Sequence, residues 1–396
     1  VACIRSLISQ ALTQWFAGLS VILVALVVAP VQVHAAAAYT IVDLDTTPTV
    51  KPELTSNVNS RGQFCTGLSF HAFRYDDSTK TDLGTLGGTS AYAYGINDAG
   101  QVVGDSRLSG TMAATHAFRT GPNALINPAT DDLGTLGGTR SCAFGINDAG
   151  QVVGYSALTG DAVGHAFRTS ANAAINPAED DLGTLGGTWS YAYDINASAQ
   201  VVGYSRTNGD AAFHAFRTAG NAVIDPANDD LGTLGGTNGY AFAINASGQA
   251  VGRSQISGDG AYHAFRTASN AAINPATDDL GTLGGADSYA FDINSKGQVV
   301  GYSAVLGSSW MPHAFLYNGT TMIDLNSLID PESGWILYQG TGINDAGQVV
   351  GCGLYGGTTH IFRLTPVPEP GSWAMLAGLA SFGFLAAARR RIVKRP

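Results

Sequence analysis

From residue 39 to residue 365 the chain runs in short apolar stretches separated by polar, glycine-rich ones. Tyr92-Ala93-Tyr94-Gly95-Ile96 alternates large and small residues at period two, the pattern of a strand with two unlike faces. Asn97-Asp98-Ala99-Gly100 follows as a hairpin loop whose glycine suits positive φ. Gln101-Val102-Val103-Gly104-Asp105 is the returning strand. A third strand is centred on His116-Ala117-Phe118-Arg119, and a fourth carries Asp-Leu, as in Met322-Ile323-Asp324-Leu325. The pattern predicts four short strands per unit.

The unit recurs. The Ile96–Gly104 stretch returns at 146–154, 195–203, 244–252, 293–301 and 343–351, with a worn copy at Val58-Asn59-Ser60-Arg61-Gly62-Gln63. His-Ala-Phe starts at His71, His116, His165, His214, His263 and His313, and ends as His360-Ile361-Phe362. Asp-Leu starts at Asp43, Asp82, Asp132, Asp181, Asp230, Asp279 and Asp324. A period of this length signals a solenoid or a propeller. The order of the ends separates the two. A strand-four sequence, Tyr39-Thr40-Ile41-Val42-Asp43-Leu44, comes first, and a strand-three sequence, His360-Ile361-Phe362-Arg363-Leu364, comes last. An open solenoid would cap its ends, whereas in a ring the offset strand completes the last sheet and removes its free edge. The expected fold is therefore all-β: a seven-bladed β-propeller of four-stranded repeats over residues 39–365, strand one innermost.

Two apolar runs flank it. Residues 1–38 read as a signal peptide: Arg5, an apolar stretch from Ala17 to Ala29, Pro30, then small residues around His34-Ala35-Ala36-Ala37-Ala38. In residues 366–396, Pro368-Glu369-Pro370 precedes an apolar stretch from Trp373 to Ala388 and then Arg389-Arg390-Arg391. Residues 373–388 are read as a membrane helix, with Trp and Arg marking its two interfaces and the basic end kept cytoplasmic.

Charge changes the picture in one respect. The whole chain carries a formal −10, with charged residues at 13% and 51 glycines. Arg5 near the start and Arg389, Arg390, Arg391, Lys394 and Arg395 after Pro370 are accompanied by no acid in those end segments, so the body is more acidic than that figure. Such a surface repels phosphate backbones, and nucleic acid is not an expected partner.

The Pro-Glu-Pro motif, apolar stretch and basic tail resemble a PEP-CTERM sorting signal. That resemblance implies an exosortase-type processing protease as partner and transient inner-membrane anchoring through the C-terminal helix. Removal of the tail and delivery to the cell surface or extracellular matrix would follow. The body, with Asp-Leu-Gly-Thr-Leu-Gly-Gly, Ile-Asn-Asp-Ala-Gly-Gln-Val-Val-Gly and His-Ala-Phe together in its intact copies, resembles the HAF-repeat extracellular proteins. The resemblance implies a destination and a repeat type, and carries no activity with it.

Candidate chemistry is sparse. Histidines on strand three of neighbouring blades would stand roughly 15 Å apart, too far to share a zinc that needs ligands at about 2.1 Å. They read as imidazoles buried and hydrogen-bonded within their own blades. The pairs Asp131-Asp132, Asp180-Asp181, Asp229-Asp230 and Asp278-Asp279 lack the spacing of a calcium loop and read as solvated turn residues. No cofactor, metal site or catalytic residue is expected. Cys65 and Cys352 fall in blades that ring closure makes neighbours, so a disulfide between them is left open.

The copies disagree most directly after Gly-Gly-Thr or Gly-Gly-Ala, at Ser90, Arg140, Trp189, Asn238 and Asp287. A packed core position would not accept Arg, Trp and Asp in turn. The expectation is a solvent-facing ring around one mouth of the central channel, the place to look for a ligand. The function expected is non-enzymatic: an exported propeller that binds or scaffolds polysaccharide or other exported proteins. The alternatives are an extracellular glycan hydrolase or lyase and a purely structural matrix component.

Overall fold

In each intact repeat the Gly-Gly pair opens the first strand instead of preceding it. The strands run Gly87–Ile96, Gly137–Ile146, Gly186–Ile195, Gly235–Ile244 and Gly284–Ile293, longer at their N-terminal ends than the alternation of Tyr92–Ile96 suggests. The structure, a computed structural model, describes residues 37–46, 57–77, 79–110, 114–307 and 311–368. Residues 1–36 of the signal-peptide reading, the helix at 373–388, Glu369, Pro370 and Arg389–Arg391 lie outside the described residues. Pro368 is the last described residue and is exposed. Among the described residues no helix is long and apolar enough to cross a membrane.

The protein is all-β, and among the described residues the helical elements are two short 3-10 turns at Asn208–Asp210 and Leu325–Leu328. Gly284–Ile293, Val299–Val305, His313–Tyr317 and Met322–Asp324 make one antiparallel four-stranded sheet in that order. The N-terminal strand Tyr39–Thr46 pairs antiparallel with Thr358–Pro366, from Tyr39 opposite Pro366 to Thr46 opposite His360. It thereby supplies the fourth strand of the sheet built by Trp335–Ile343 and Val349–Tyr355.

Apolar clusters form between consecutive repeats. Val153, Ala166, Leu182 and Leu185 of one repeat pack with Ala192, Ile195, Val201 and Phe216 of the next. Phe118, Phe167, Phe216, Phe265, Phe315 and Phe362 have no exposed surface. The small residues of the period-two pattern permit this close approach. A Cβ on Gly203 would collide with the Tyr191 carbonyl oxygen, and the same clash recurs at Gly104, Gly154, Gly252 and Gly301.

The Asn of each hairpin loop ties the repeats together. Its Oδ1 accepts the Gln backbone N–H four residues on, and its Nδ2 donates to that Gln's Oε1, as in Asn97 and Gln101. The same Nδ2 also donates to the backbone carbonyl of the next repeat's Asn. Asn59 reaches Asn97, Asn97 reaches Asn147 and Asn147 reaches Asn196, at 3.1–3.2 Å. Asn196, Asn245 and Asn294 continue to Asn344, whose Nδ2 donates to Asn59 O at 3.1 Å. The series returns to its start. These asparagines number the repeats one to seven below, and a "seam" is the boundary between two of them.

Loop glycines such as Gly100 and Gly150 sit at φ +75° and +77°, as the hairpin reading requires. The fourth repeat has Ala199 there at φ +57°. Ala199→Gly is expected to stabilise the protein by roughly 0.5–1 kcal/mol by releasing left-handed strain. A lower melting temperature for that variant would mean that the packing of its buried methyl outweighs the strain.

Candidate functional site

The varied positions lie on the seams, most of them in contact with the preceding repeat's third strand. The cavity that the loop asparagines frame, about 290 Å³, is lined by residues such as Asn59, Asn97, Asn147 and Asp292, at the other end of the first strand. Arg140 bridges Thr115 of the preceding repeat in parallel pairing, and Trp189 bridges Gly164 in the same way. Asn238 Oδ1 accepts Phe213 N–H at 2.9 Å, and Asp287 Oδ1 accepts Tyr262 N–H at 2.8 Å. Arg140 is exposed, Trp189, Asn238 and Asp287 are half-buried, and Ser90 is buried at 8%. Of the five, only Arg140 faces solvent fully, so the expected solvent-facing ring is met at that position alone. The first strand starts earlier than its alternation suggests, which carries these positions to the previous repeat's third strand.

What the seams do bring together is aromatic. Trp189 stacks 5.7 Å from Tyr155, which lies 4.8 Å from Tyr191. The band continues Tyr191–Tyr204 at 5.0 Å, Tyr204–Tyr240 at 4.9 Å, Tyr240–Tyr262 at 6.2 Å and Tyr262–Tyr289 at 6.1 Å, and ends with Tyr289–Tyr302 at 4.6 Å. All of these rings are half-buried. The Arg253 guanidinium stands 4.5 Å from the Tyr289 ring, 4.8 Å from Tyr240 and 5.0 Å from Tyr262, cation–π distances. Three rings of this band and Arg253 sit at the residue after Val-Val-Gly or Ala-Val-Gly: Tyr155, Tyr204, Arg253 and Tyr302, where the second repeat has Asp105. Sequence reasoning missed it, although the copies disagree there as plainly as at Ser90.

The first seam is open. Gly67 occupies the place of Asp105 and Tyr155, and Tyr92 leans over it so closely that a Cβ would meet the ring at 2.6 Å. Beside it lies a cavity of about 550 Å³, lined by Phe70, His71, Ser90, Tyr92, Asp105 and Arg107 among others. Burial pushes the Asp105 carboxyl up to about 6, against hydrogen bonds from Tyr94 and Cys142 that favour its charged form.

The repeated polar residues are structural. Each strand-three histidine offers Nδ1 to the Asp of its fourth strand, as in His116–Asp132 at 2.9 Å, His165–Asp181 at 2.8 Å and His360–Asp43 at 3.0 Å. The imidazoles are hydrogen-bonded within their sheets as expected, but most are only half-buried. Burial pushes Asp132, Asp181 and Asp230 up, yet bonds from the histidine and the following Gly N–H outweigh it and hold them below the usual carboxylate range. The first Asp of each pair is not a solvated turn residue. Asp131, Asp180, Asp229 and Asp278 are buried and accept the backbone N–H four residues earlier, closing the linker loop. Cys65 lies in the core between repeats one and two, and Cys352 bonds with Tyr338; both are free thiols.

Residues 366–391 match the PEP-CTERM protein-sorting motif. The chain carries a PEP-CTERM sorting signal. The PEP-CTERM motif, which holds Pro368, Glu369, Pro370 and Arg389–Arg391, implies export through the membrane and processing by exosortase-type machinery. The exposure of Pro368 suits such access. Residues 218–361 match a family described as "Protein of unknown function (DUF3466)". No curated protein matches the chain. Similar solved structures include a chain of the mitotic checkpoint complex, at 9% identity over 85% of this chain and 97% of that one, TM-score 0.46. Another is the extracellular domain of a putative one-component system from B. thetaiotaomicron, at 11% identity over 83% and 40%, TM-score 0.43. A third is the β-propeller domain of the trilobed protease from Pyrococcus furiosus, at 9% identity over 81% and 85%, TM-score 0.33.

Proposed function

We propose that the chain is a non-catalytic HAF-repeat protein of the cell surface or extracellular matrix. Its repeats close into a seven-bladed β-propeller that holds polysaccharide against its aromatic seams. The asparagine circuit that returns from Asn344 to Asn59, and the N-terminal strand seated on Thr358–Pro366, support the closed ring. The PEP-CTERM signal supports export, with the C-terminal helix as a transient inner-membrane anchor before processing.

The observation that carries the binding reading is the contiguous half-buried band from Trp189 and Tyr155 to Tyr302. Flat apolar faces held rigid on strands suit the C–H faces of sugar rings, and the exposed Arg140, whose charge acts on Tyr155, adds a planar fork of donors. The acids that recur in every repeat support a role without catalysis, since they are engaged with their own histidines and loops.

Binding of the purified protein to extracted matrix polysaccharide tests this. Trp189→Ala and Arg140→Ala are each expected to lose roughly 1–3 kcal/mol of affinity, as truncated hot spots do. Arg140→Ala should move folding stability by less than about 0.5 kcal/mol, while Trp189→Ala, which gives up two stacked neighbours, should cost about 1 kcal/mol. Wild-type binding by both variants overturns the reading. Release of sugar products by the wild type favours a hydrolase or lyase instead, and no saturable affinity favours a structural component.

A further inference from the structure

We propose that the cavity at the first seam is a second, separate ligand site, one that takes a single neutral hexopyranose unit. It rests on the glycan-binding reading above only for the class of its ligand. It shares no residue with the band from Trp189 to Tyr302.

The cavity is a specific departure from the repeat. Where later repeats have Tyr155, Tyr204, Arg253 or Tyr302, the first has Gly67, over which Tyr92 packs. The hairpin that follows is cut to two residues, Ser69 and Phe70, held at φ +49° and +71°. Left-handed conformations are costly for residues other than Gly, Asn and Asp, and an aromatic one is the less expected of the two. The turn presents Phe70 with 65% of its surface exposed, beside Tyr92 at a ring separation of 6.4 Å and an angle of 65°. Phe70 occupies the place that Gly164 takes at the third seam, immediately before the histidine.

The volume of about 550 Å³ falls in the range of roughly 300–1,000 Å³ that small-molecule sites occupy. Its walls combine two kinds of group. Phe70 and Tyr92 give aromatic surface for the apolar face of a pyranose. Asp105 and Arg107 give an acceptor and a planar donor set for adjacent hydroxyls, and Ser90 also lines the cavity. A carboxyl and a guanidinium in one cavity leave little preference for a charged sugar. The acidic body disfavours uronic acids further. His71 has Nδ1 engaged with Asp82 at 2.8 Å and half of its side-chain surface exposed, which leaves its other nitrogen for a ligand hydroxyl.

The test titrates methyl glucopyranoside, galactopyranoside and mannopyranoside into the full chain, held in a detergent without a sugar headgroup. Calorimetry and saturation-transfer NMR report binding. At least one glycoside should bind. Phe70→Gly removes the ring while suiting the positive φ, so it should keep or raise the melting temperature and weaken that binding tenfold or more. Ser90→Trp installs the fourth repeat's residue, fills the cavity and should abolish the signal. Trp189→Ala should leave it within about twofold, since that ring lies at another seam. The proposal is overturned if no glycoside binds, or if binding persists unchanged in folded Phe70→Gly and Ser90→Trp. It is also overturned if glucuronate binds there in preference to all three. Loss of glycoside binding in Trp189→Ala but not in Phe70→Gly would overturn this site while upholding the aromatic seam. Loss of polysaccharide binding in Trp189→Ala alone leaves this site standing.

Discussion

Deleting Tyr39–Thr46 is expected to lower folding stability by roughly 3–6 kcal/mol and to make the protein associate. The strand is held along its whole length by pairing with Thr358–Pro366. Tyr39 is buried at 8% in a cluster with Leu325, Leu337, Phe362 and Leu364, and Ile41 packs on the same cluster. Asp43 accepts His360 Nδ1 at 3.0 Å, and Ala38 bonds to both Leu328 and Val367 through its backbone. Without the strand, the edge of Thr358–Pro366 presents its N–H and C=O groups to solvent and to other molecules. Thermal melting beside size-exclusion chromatography checks this. An unchanged melting curve with a monomeric profile would show that the last sheet needs no closing strand, and the ring model would fall with it.

Much of this architecture is legible in the residues because a repeat reports each position several times. The hairpin loops, the returning Val-Val-Gly strand, the buried Phe of His-Ala-Phe and the offset N-terminal strand all follow from patterns repeated along the chain. The asparagine circuit was legible too, since Asn59, Asn97, Asn147, Asn196, Asn245, Asn294 and Asn344 each precede a Gln by four residues. Its meaning was not, because a side chain that bonds both its own loop and the next repeat looks in sequence like any turn asparagine. The varied positions were found, but their contacts with the preceding repeat were not. Gly-Gly reads as a loop by propensity, yet Gly87 pairs with Leu108 and Gly186 with Thr207, so the strand begins there. That sets Arg140 and Trp189 against the preceding repeat's third strand. The open first seam was hidden for the opposite reason. Gly67 and the short Ser69-Phe70 turn sit in the worn copy, where the pattern is weakest and departures look like decay.

Raising the pH from about 5 to 9 is expected to destabilise the protein through two buried carboxyls. Asp194 and Asp292 stand where the other repeats have Asn57, Gly95, Gly145, Ala243 and Gly342. Asp194 Oδ1 and Oδ2 accept Ile195 and Ile244 N–H, both at 2.8–2.9 Å, and Asp292 accepts Ile293 and Ile343 N–H at 2.8 Å. Each thereby clamps the next repeat's first strand. Burial pushes Asp194 up to about 7 and Asp292 to about 8, against those backbone donors, and the charges of Asp194 and Asp345 add to the effect at Asp292. In the unfolded chain both ionise near pH ~4. Between about pH 4 and 8 the folded state therefore holds protons that the unfolded state has released, and stability falls as pH rises, levelling off above the folded values. Together the two groups should contribute a loss of roughly several kcal/mol across that window. The lowered Asp132, Asp181 and Asp230 act with the opposite sign and at lower pH. Their stabilisation is present above the unfolded carboxylate value and is lost as pH falls below it. The decisive measurement is the slope of melting temperature against pH in wild type and in the Asp194→Asn, Asp292→Asn double variant. Absolute stability is a poor guide, because an Asn amide would turn a donor toward Ile244 or Ile343 N–H and cost a hydrogen bond at every pH. The slope between pH 5 and 9 should flatten in the variant. If it stays as steep as in wild type, these carboxyls ionise normally and the seam they clamp is wet.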